Sequence, residues 1–127
     1  MIDITSGELF INNELIFRPL YRFEEFKNTS YYKNQDGIRV IYLEGKQSID
    51  GNDYYVNFFF REGKIYAVNL IKDDENITEL TEPLRKLVHD KILVKYGIEN
   101  GKEYPWGKVV SDYDARGNVS AITIYYN

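Results

Sequence analysis

The stretch Asp53–Asp73, DYYVNFFFREGKIYAVNLIKD, is the most apolar and aromatic part of the chain, and it reads as two β-strands folded back at Arg61-Glu62-Gly63. With Gly63 in the left-handed position that closes a three-residue loop, Phe60 faces Lys64, Phe58 faces Tyr66, Val56 faces Val68 and Tyr54 faces Leu70. One face of the ribbon then becomes a continuous apolar strip. The other carries Phe59 with Ile65, Asn57 with Ala67 and Tyr55 with Asn69, a mixed surface. A slip by one residue would set both asparagines against strongly apolar neighbours, so pattern and turn chemistry point to one register. Tyr54, Val56, Phe58, Tyr66, Val68 and Leu70 are the strip expected to receive a helix.

That helix is read at Thr78–Tyr96. Thr81 suits an N-cap, Pro83 the first turn, Lys91 and Lys95 the carboxyl end, and Gly97 a left-handed stop. Leu84, Leu87, Val88 and Ile92 form its apolar stripe, while Arg85, Lys86, His89 and Asp90 are expected to face away. Upstream, residues 7–18 read as a hairpin turning at Asn12-Asn13 with Phe10 opposite Leu15, and Leu20–Lys27 as one or two helical turns. Ile38–Glu44 alternates like a strand, and Ser48-Ile49 extends another. Gly107–Tyr113 and Val119–Tyr126 form the last hairpin, turning at Ala115-Arg116-Gly117 with the same glycine chemistry as Gly63. The layout is one α+β domain over residues 1–127: a mainly antiparallel sheet of about six strands with one long helix on one face.

Composition narrows the function classes. A chain of 127 residues with 43% hydrophobic and 28% charged content can bury a core without staples. The absence of cysteine removes disulfides, thiolate catalysis and Cys-ligated zinc. No stretch approaches the roughly 18 apolar residues of a membrane span, and the N-terminus lacks a basic region followed by an apolar run, so a soluble cytoplasmic protein is expected. The net charge of −4 and pI near 5.0, with bases scattered among acids, argue against nucleic-acid binding.

Catalytic signatures are missing. The single histidine, His89, has Arg85 and Leu93 at helical spacing and hence no second ligand. Asp73-Asp74-Glu75 lacks the alternating oxygens of a calcium loop, and Asp112 and Asp114 flank a turn. No serine sits in a nucleophile elbow, and no glycine-rich phosphate loop is present. No catalytic residue, cofactor or metal is therefore assigned, and the expectation is a non-enzymatic protein.

The aromatic content is the asset: 12 Tyr, 7 Phe and one Trp. Phe58, Phe59 and Phe60 lack the basic surroundings that a base-stacking platform needs. Tyrosine instead suits protein interfaces, where it gives large contact area at low entropic cost. Tyr31 and Tyr32 in a polar loop, Tyr125 and Tyr126 at the end of the last strand, and the lone Trp106 are candidate partner-binding residues, with Asp73, Asp74, Asp112 and Asp114 as acidic contacts. Trp106 is expected to plug the helix–sheet junction, and Gly107 to let another backbone come close.

The order of an aromatic hairpin, a helix carrying His89-Asp90, then Tyr104-Pro105-Trp106-Gly107-Lys108-Val109, Tyr113-Asp114-Ala115-Arg116-Gly117 and the strand Ile122-Thr123-Ile124-Tyr125 resembles small bacterial immunity-type proteins encoded beside polymorphic or contact-dependent-inhibition toxins. The likeness is one of layout. It implies a non-enzymatic inhibitor that binds a toxin domain encoded next to it and blocks its active site or substrate surface. Two alternatives stand beside it. One is a domain that self-associates through a sheet edge or the tyrosine-rich surface. The other is a ligand-binding domain with a cavity between helix and sheet, lined by Asp112, Asp114 or His89 beside Trp106.

Overall fold

A computed structural model describes residues 1–127. In chain order the elements are β1 (Leu9–Phe10), β2 (Ile16–Phe17), the one-turn helix α1 (Phe23–Phe26), β3 (Ile41–Tyr42), β4 (Gln47–Ile49), β5 (Asn52–Arg61) and β6 (Lys64–Lys72). A 3-10 turn at Glu79–Thr81 leads into the long helix α2 (Pro83–Lys95), followed by β7 (Glu103–Tyr104), β8 (Gly107–Asp114) and β9 (Val119–Tyr126). Seven strands form an antiparallel sheet in the order β3-β5-β6-β9-β8-β7, with β4 also on β5, and β1 and β2 form a separate hairpin. The architecture is α+β as read from the sequence, with seven sheet strands in place of about six.

The central hairpin forms, in a different register from the expected one. Glu62 and Gly63 both take positive φ, 53° and 76°, and make a two-residue turn with Arg61 opposite Lys64. Phe60 then faces Ile65, and the ladder shifts by one residue at Tyr66 before Phe59 meets Ala67. Beyond that bulge Phe58 faces Val68, Asn57 faces Asn69 and Val56 faces Leu70. The asparagines supply the physical reason. Here Asn69 Nδ2 donates to Asn57 Oδ1 at 2.7 Å, whereas the expected pairing set Asn57 opposite Ala67, which has no polar group, and Asn69 opposite Tyr55. Tyr66 leaves the inner strip as a result, and Ile65 takes its place there.

α2 crosses β6, β8 and β9 on the inner face, rotated from the expected orientation. Ile92 and Leu93 are buried as apolar contacts, but so is His89, while Leu84 and Leu87 point to solvent. The strands explain this. Two inward positions, Ser111 and Ser120, are small and polar, and the end of β6 leaves backbone groups to satisfy. Glu82 accepts from the Ser120 N–H at 3.0 Å, and Asp90 accepts from Ser111 Oγ at 2.7 Å. Arg85 donates to the Lys72 carbonyl, and His89 Nε2 accepts from the Lys72 N–H at 3.1 Å. Half of the helix therefore docks through hydrogen bonds. Thr81 is no N-cap; it closes the 3-10 turn that Thr78 opens, and Pro83 begins the helix proper. The carboxyl end is as expected, with Gly97 at φ 69° and the Ile98 N–H returning to the Leu93 carbonyl.

The rest of the inner face is covered by chain that precedes the sheet. Phe17 and Phe26 pack on Phe58, with ring centroids 4.8 and 5.4 Å away. The first hairpin is wider than a tight Asn12-Asn13 turn: Phe10 pairs with Ile16, and Asn12 Oδ1 accepts from the Glu14 and Leu15 N–H groups across the loop. Of Ile38–Glu44 only Ile41–Tyr42 is paired. In the last hairpin Asn118, at φ 51°, takes the left-handed position expected of Gly117. Trp106 lies far from α2. It stacks on Tyr104, covers Gly7 and donates Nε1–H to the Ile4 carbonyl at 2.8 Å, so it pins the N-terminal segment to the sheet. The close approach expected at Gly107 is real: a Cβ there would collide with the Tyr125 carbonyl oxygen.

Candidate partner-binding face

Because strand side chains alternate, the residues between the inner ones all emerge on the second face of the sheet. They form three rows across β5, β6, β9 and β8. The first is Tyr55, Ile71, Ala121 and Asp112; the second Asn57, Asn69, Thr123 and Val110; the third Phe59, Ala67, Tyr125 and Lys108. α2 and the N-terminal segment both lie on the opposite side, so this face is left open.

Its chemistry changes from end to end. At one end Phe59, Tyr66 and Tyr125 cluster, with centroids 5.0 and 6.1 Å apart, and close over Ala67. Arg61 lies 3.7 Å above the Tyr66 ring and Lys108 lies 5.7 Å from that of Tyr125. The middle row is a hydrogen-bonded chain across three strands, since Thr123 Oγ1 donates to Asn69 Oδ1 at 2.6 Å and Asn69 donates on to Asn57. At the far end Tyr55 is 47% exposed on β5 near Asp53, and Asp112 and Asp114 stand across the sheet on β8; none of the three carboxylates makes an ion pair. A groove of about 600 Å³ opens at the aromatic end between Tyr66 and Lys108, and a smaller one of about 280 Å³ runs from Asn57 to Asp114. The face is thus aromatic and cationic at one end, neutral and polar in the middle, and acidic at the other.

Of the nine candidate residues, Asp112, Asp114 and Tyr125 come together here, all along the smaller groove. The others are dispersed. Tyr126 is the inward neighbour of Tyr125, buried, with its hydroxyl donating to the Gly7 carbonyl at 2.8 Å; burial raises its pKa. Trp106 is buried in the same N-terminal seam. Tyr31 accepts from Asn12 Nδ2 at 2.7 Å, and Tyr32 bonds Asp36 and packs edge-on against Phe23 and Phe26. Asp73 pairs with Lys46 at 2.9 Å, and Asp74 accepts from the Asn76 N–H within a turn. The ligand cavity beside Trp106 is not assembled, because His89 is inside the helix–sheet contact and Asp112 and Asp114 are on the open face.

Sequence reasoning passed over Tyr55, Phe59, Arg61, Tyr66 and the Asn57–Asn69–Thr123 chain. The signal was the mixed character of the alternate residues in the hairpin, which marked a face too apolar for plain solvent exposure and too polar for a second core. His89 is the most perturbed base. Burial, with the Arg85 cation adding to it, lowers its pKa from 6.5 to about 4, so it is neutral and fit to accept from Lys72. No helix is long and apolar enough to cross a membrane. Comparison with protein families, with curated proteins and with solved structures finds no match to this chain.

Proposed function

We propose that this chain is a non-enzymatic binding protein that docks a protein partner on the open face of its sheet. The observation that carries the reading is the composition of that face. Tyr55, Phe59, Arg61, Tyr66 and Tyr125 are the residue types that dominate interface cores, and here they stand on rigid strands with no element of the chain covering them. The unpaired charges at the two ends would fix the orientation of the partner and speed its approach. The resemblance to immunity-type proteins extends this to a specific partner, a toxin domain encoded beside the gene, held in the cytoplasm of the producing cell.

The test is co-expression with the product of the adjacent gene, followed by titration calorimetry of the purified pair. Tight one-to-one binding that a Tyr125→Ala, Tyr66→Ala double variant weakens by at least about 100-fold is the expected result, given typical hot-spot magnitudes. An adjacent product that binds with undiminished affinity to the double variant would remove the sheet face from the reading. An adjacent gene without a toxin-like domain, with no protection of cells, would remove the immunity assignment.

A further inference from the structure

We infer that the groove at the aromatic end of the open face takes an extended acidic segment of the protein partner. Two carboxylates four residues apart meet Arg61 and Lys108, and an apolar side chain between them lies on Tyr66 and Tyr125. This rests on the reading of the open face as the docking surface and adds the chemistry that the surface receives. The groove forms because the ladder between β6 and β9 stops at Ala67 and Tyr125, so residues 64–66 run on without β9 beside them while Lys108 comes in from β8. Its volume of about 600 Å³ is that of a cleft that holds several side chains.

Charge complementarity names the occupant. Three cations, Arg61, Lys64 and Lys108, line the groove, and none makes an ion pair within the chain. Glu62, exposed at the turn, is the one acidic side chain on its rim. The gathering stands out in a chain with 20 acidic against 16 basic residues, where Lys46, Arg85 and Lys86 are all held by carboxylates. Arg61 lies 3.7 Å over the Tyr66 ring and Lys108 5.7 Å from that of Tyr125, so the order across β5, β6, β9 and β8 is cation, ring, ring, cation. A guanidinium spread on a ring keeps its N–H edge for a carboxylate. Spacing sets the shape of the segment. Arg61 on β5 and Lys108 on β8 stand three strand spacings apart, about 14 Å. Residues four apart in an extended segment share a side at about 14 Å, and the one midway lies over the rings. A small anion would meet one of the two cations and leave the rings uncovered.

The test is an NMR titration of the isotope-labelled full chain, at about 50 mM salt, with an end-capped synthetic peptide that carries two glutamates four residues apart and a leucine midway. Amide shifts should centre on Arg61, Lys64, Tyr66, Lys108 and Tyr125 and saturate with a dissociation constant of about 1 mM or below. Arg61→Gln with Lys108→Gln should weaken binding about fivefold, as should glutamine in place of both glutamates in the peptide. Lys91→Gln with Lys95→Gln removes the same charge from α2, on the other side of the sheet, and should leave binding unchanged. No saturable shift up to about 5 mM, equal binding of the glutamine peptide, or an equal loss in the α2 variant overturns the inference. Inorganic phosphate that saturates the same amides at far lower concentration makes the groove a small-anion site and overturns it too. The docking reading fails separately. An adjacent gene product that does not bind, while the peptide titrates as expected, removes the toxin partner and upholds the chemistry of the groove. A Tyr66→Ala, Tyr125→Ala variant that loses the partner, while the peptide never binds, upholds the docking face and removes the acidic segment.

Discussion

The two faces of the sheet are built from alternate residues of the same four strands, and they differ in what completes them. On the inner face Tyr54, Val56, Phe58, Val68, Leu70, Ile122 and Ile124 are buried under α2 and the N-terminal segment. On the open face Tyr55, Phe59, Tyr66 and Tyr125 have only each other, a row of amides and flanking charges. Side-chain size does not separate them, since each face carries large aromatics. What separates them is whether the neighbours come from this chain. An antiparallel sheet commonly leaves one face to water, but water needs no cluster of rings there. The difference is that one set of aromatics is covered by this chain and the other, on the proposed docking face, is not.

The sharpest way to break this contrast is at adjacent residues. Phe58→Ala removes a ring held between Phe17 and Phe26 and should lower unfolding free energy by about 3–5 kcal/mol. Phe59→Ala, one residue on, removes a ring in contact with Tyr66 and should lower it by about 1 kcal/mol. Urea titrations of the two variants would read the ratio. Equal losses would mean that the open face is as much a core as the inner one.

How far this contrast was legible beforehand depends on the element. Alternation in β5 placed Tyr54, Val56 and Phe58 inside correctly, because a strand's period of two survives errors of register. The pairing with β6 was missed because a two-residue turn plus a bulge gives the same strand directions as a three-residue loop, and only the mutual fit of Asn57 and Asn69 separates them. The helix is rotated from the expected orientation, with Ile92 and Val88 on the core side as expected and Leu84 and Leu87 outside, for a different reason. Its apolar stripe was real, but helical periodicity does not say which side meets the sheet. That information lay in Ser111 and Ser120, small polar residues at inward strand positions whose hydroxyls donate to the Asp90 carboxylate and the Glu82 carbonyl. The candidate face is half legible: Asp112, Asp114 and Tyr125 are named in advance, Tyr66 is expected in the inner strip that it does not join, and Tyr55 and Phe59 are placed on the mixed face without being singled out as contacts.

The next test asks whether the inner face is held by polar contacts as well as packing. His89 is buried and titrates near 4 in the fold but near 6.5 when free. The unfolded chain therefore takes up the proton first as pH falls. The contribution is complete above about pH 6.5 and is lost progressively down to about pH 4, by roughly 3 kcal/mol in total. His89→Gln keeps an acceptor for the Lys72 N–H without a titrating group. Stability followed by urea midpoint should fall from pH 6.5 to 5 in the parent chain and stay nearly level in the variant. Parallel profiles would show that His89 does not set the slope. Partner affinity per folded molecule, carried by the other face, should be unchanged by His89→Gln.

The smallest expected effect on stability tests the open face most directly. Tyr55 is paired across the ladder with Ile71 and projects from the open face of the sheet, half exposed. Its removal uncovers no core atom, so Tyr55→Ala should change unfolding free energy by no more than about 0.5 kcal/mol. The same substitution should weaken binding of the proposed toxin partner by at least about tenfold, because a ring on a rigid strand gives up little entropy when it is covered. The two measurements have to be taken together. A loss of stability without a loss of binding would make Tyr55 one more packing residue, and the open face an unfinished core. A loss of binding at constant stability can arise only from contacts that form with another molecule, which is the distinction between the two faces expressed at a single side chain.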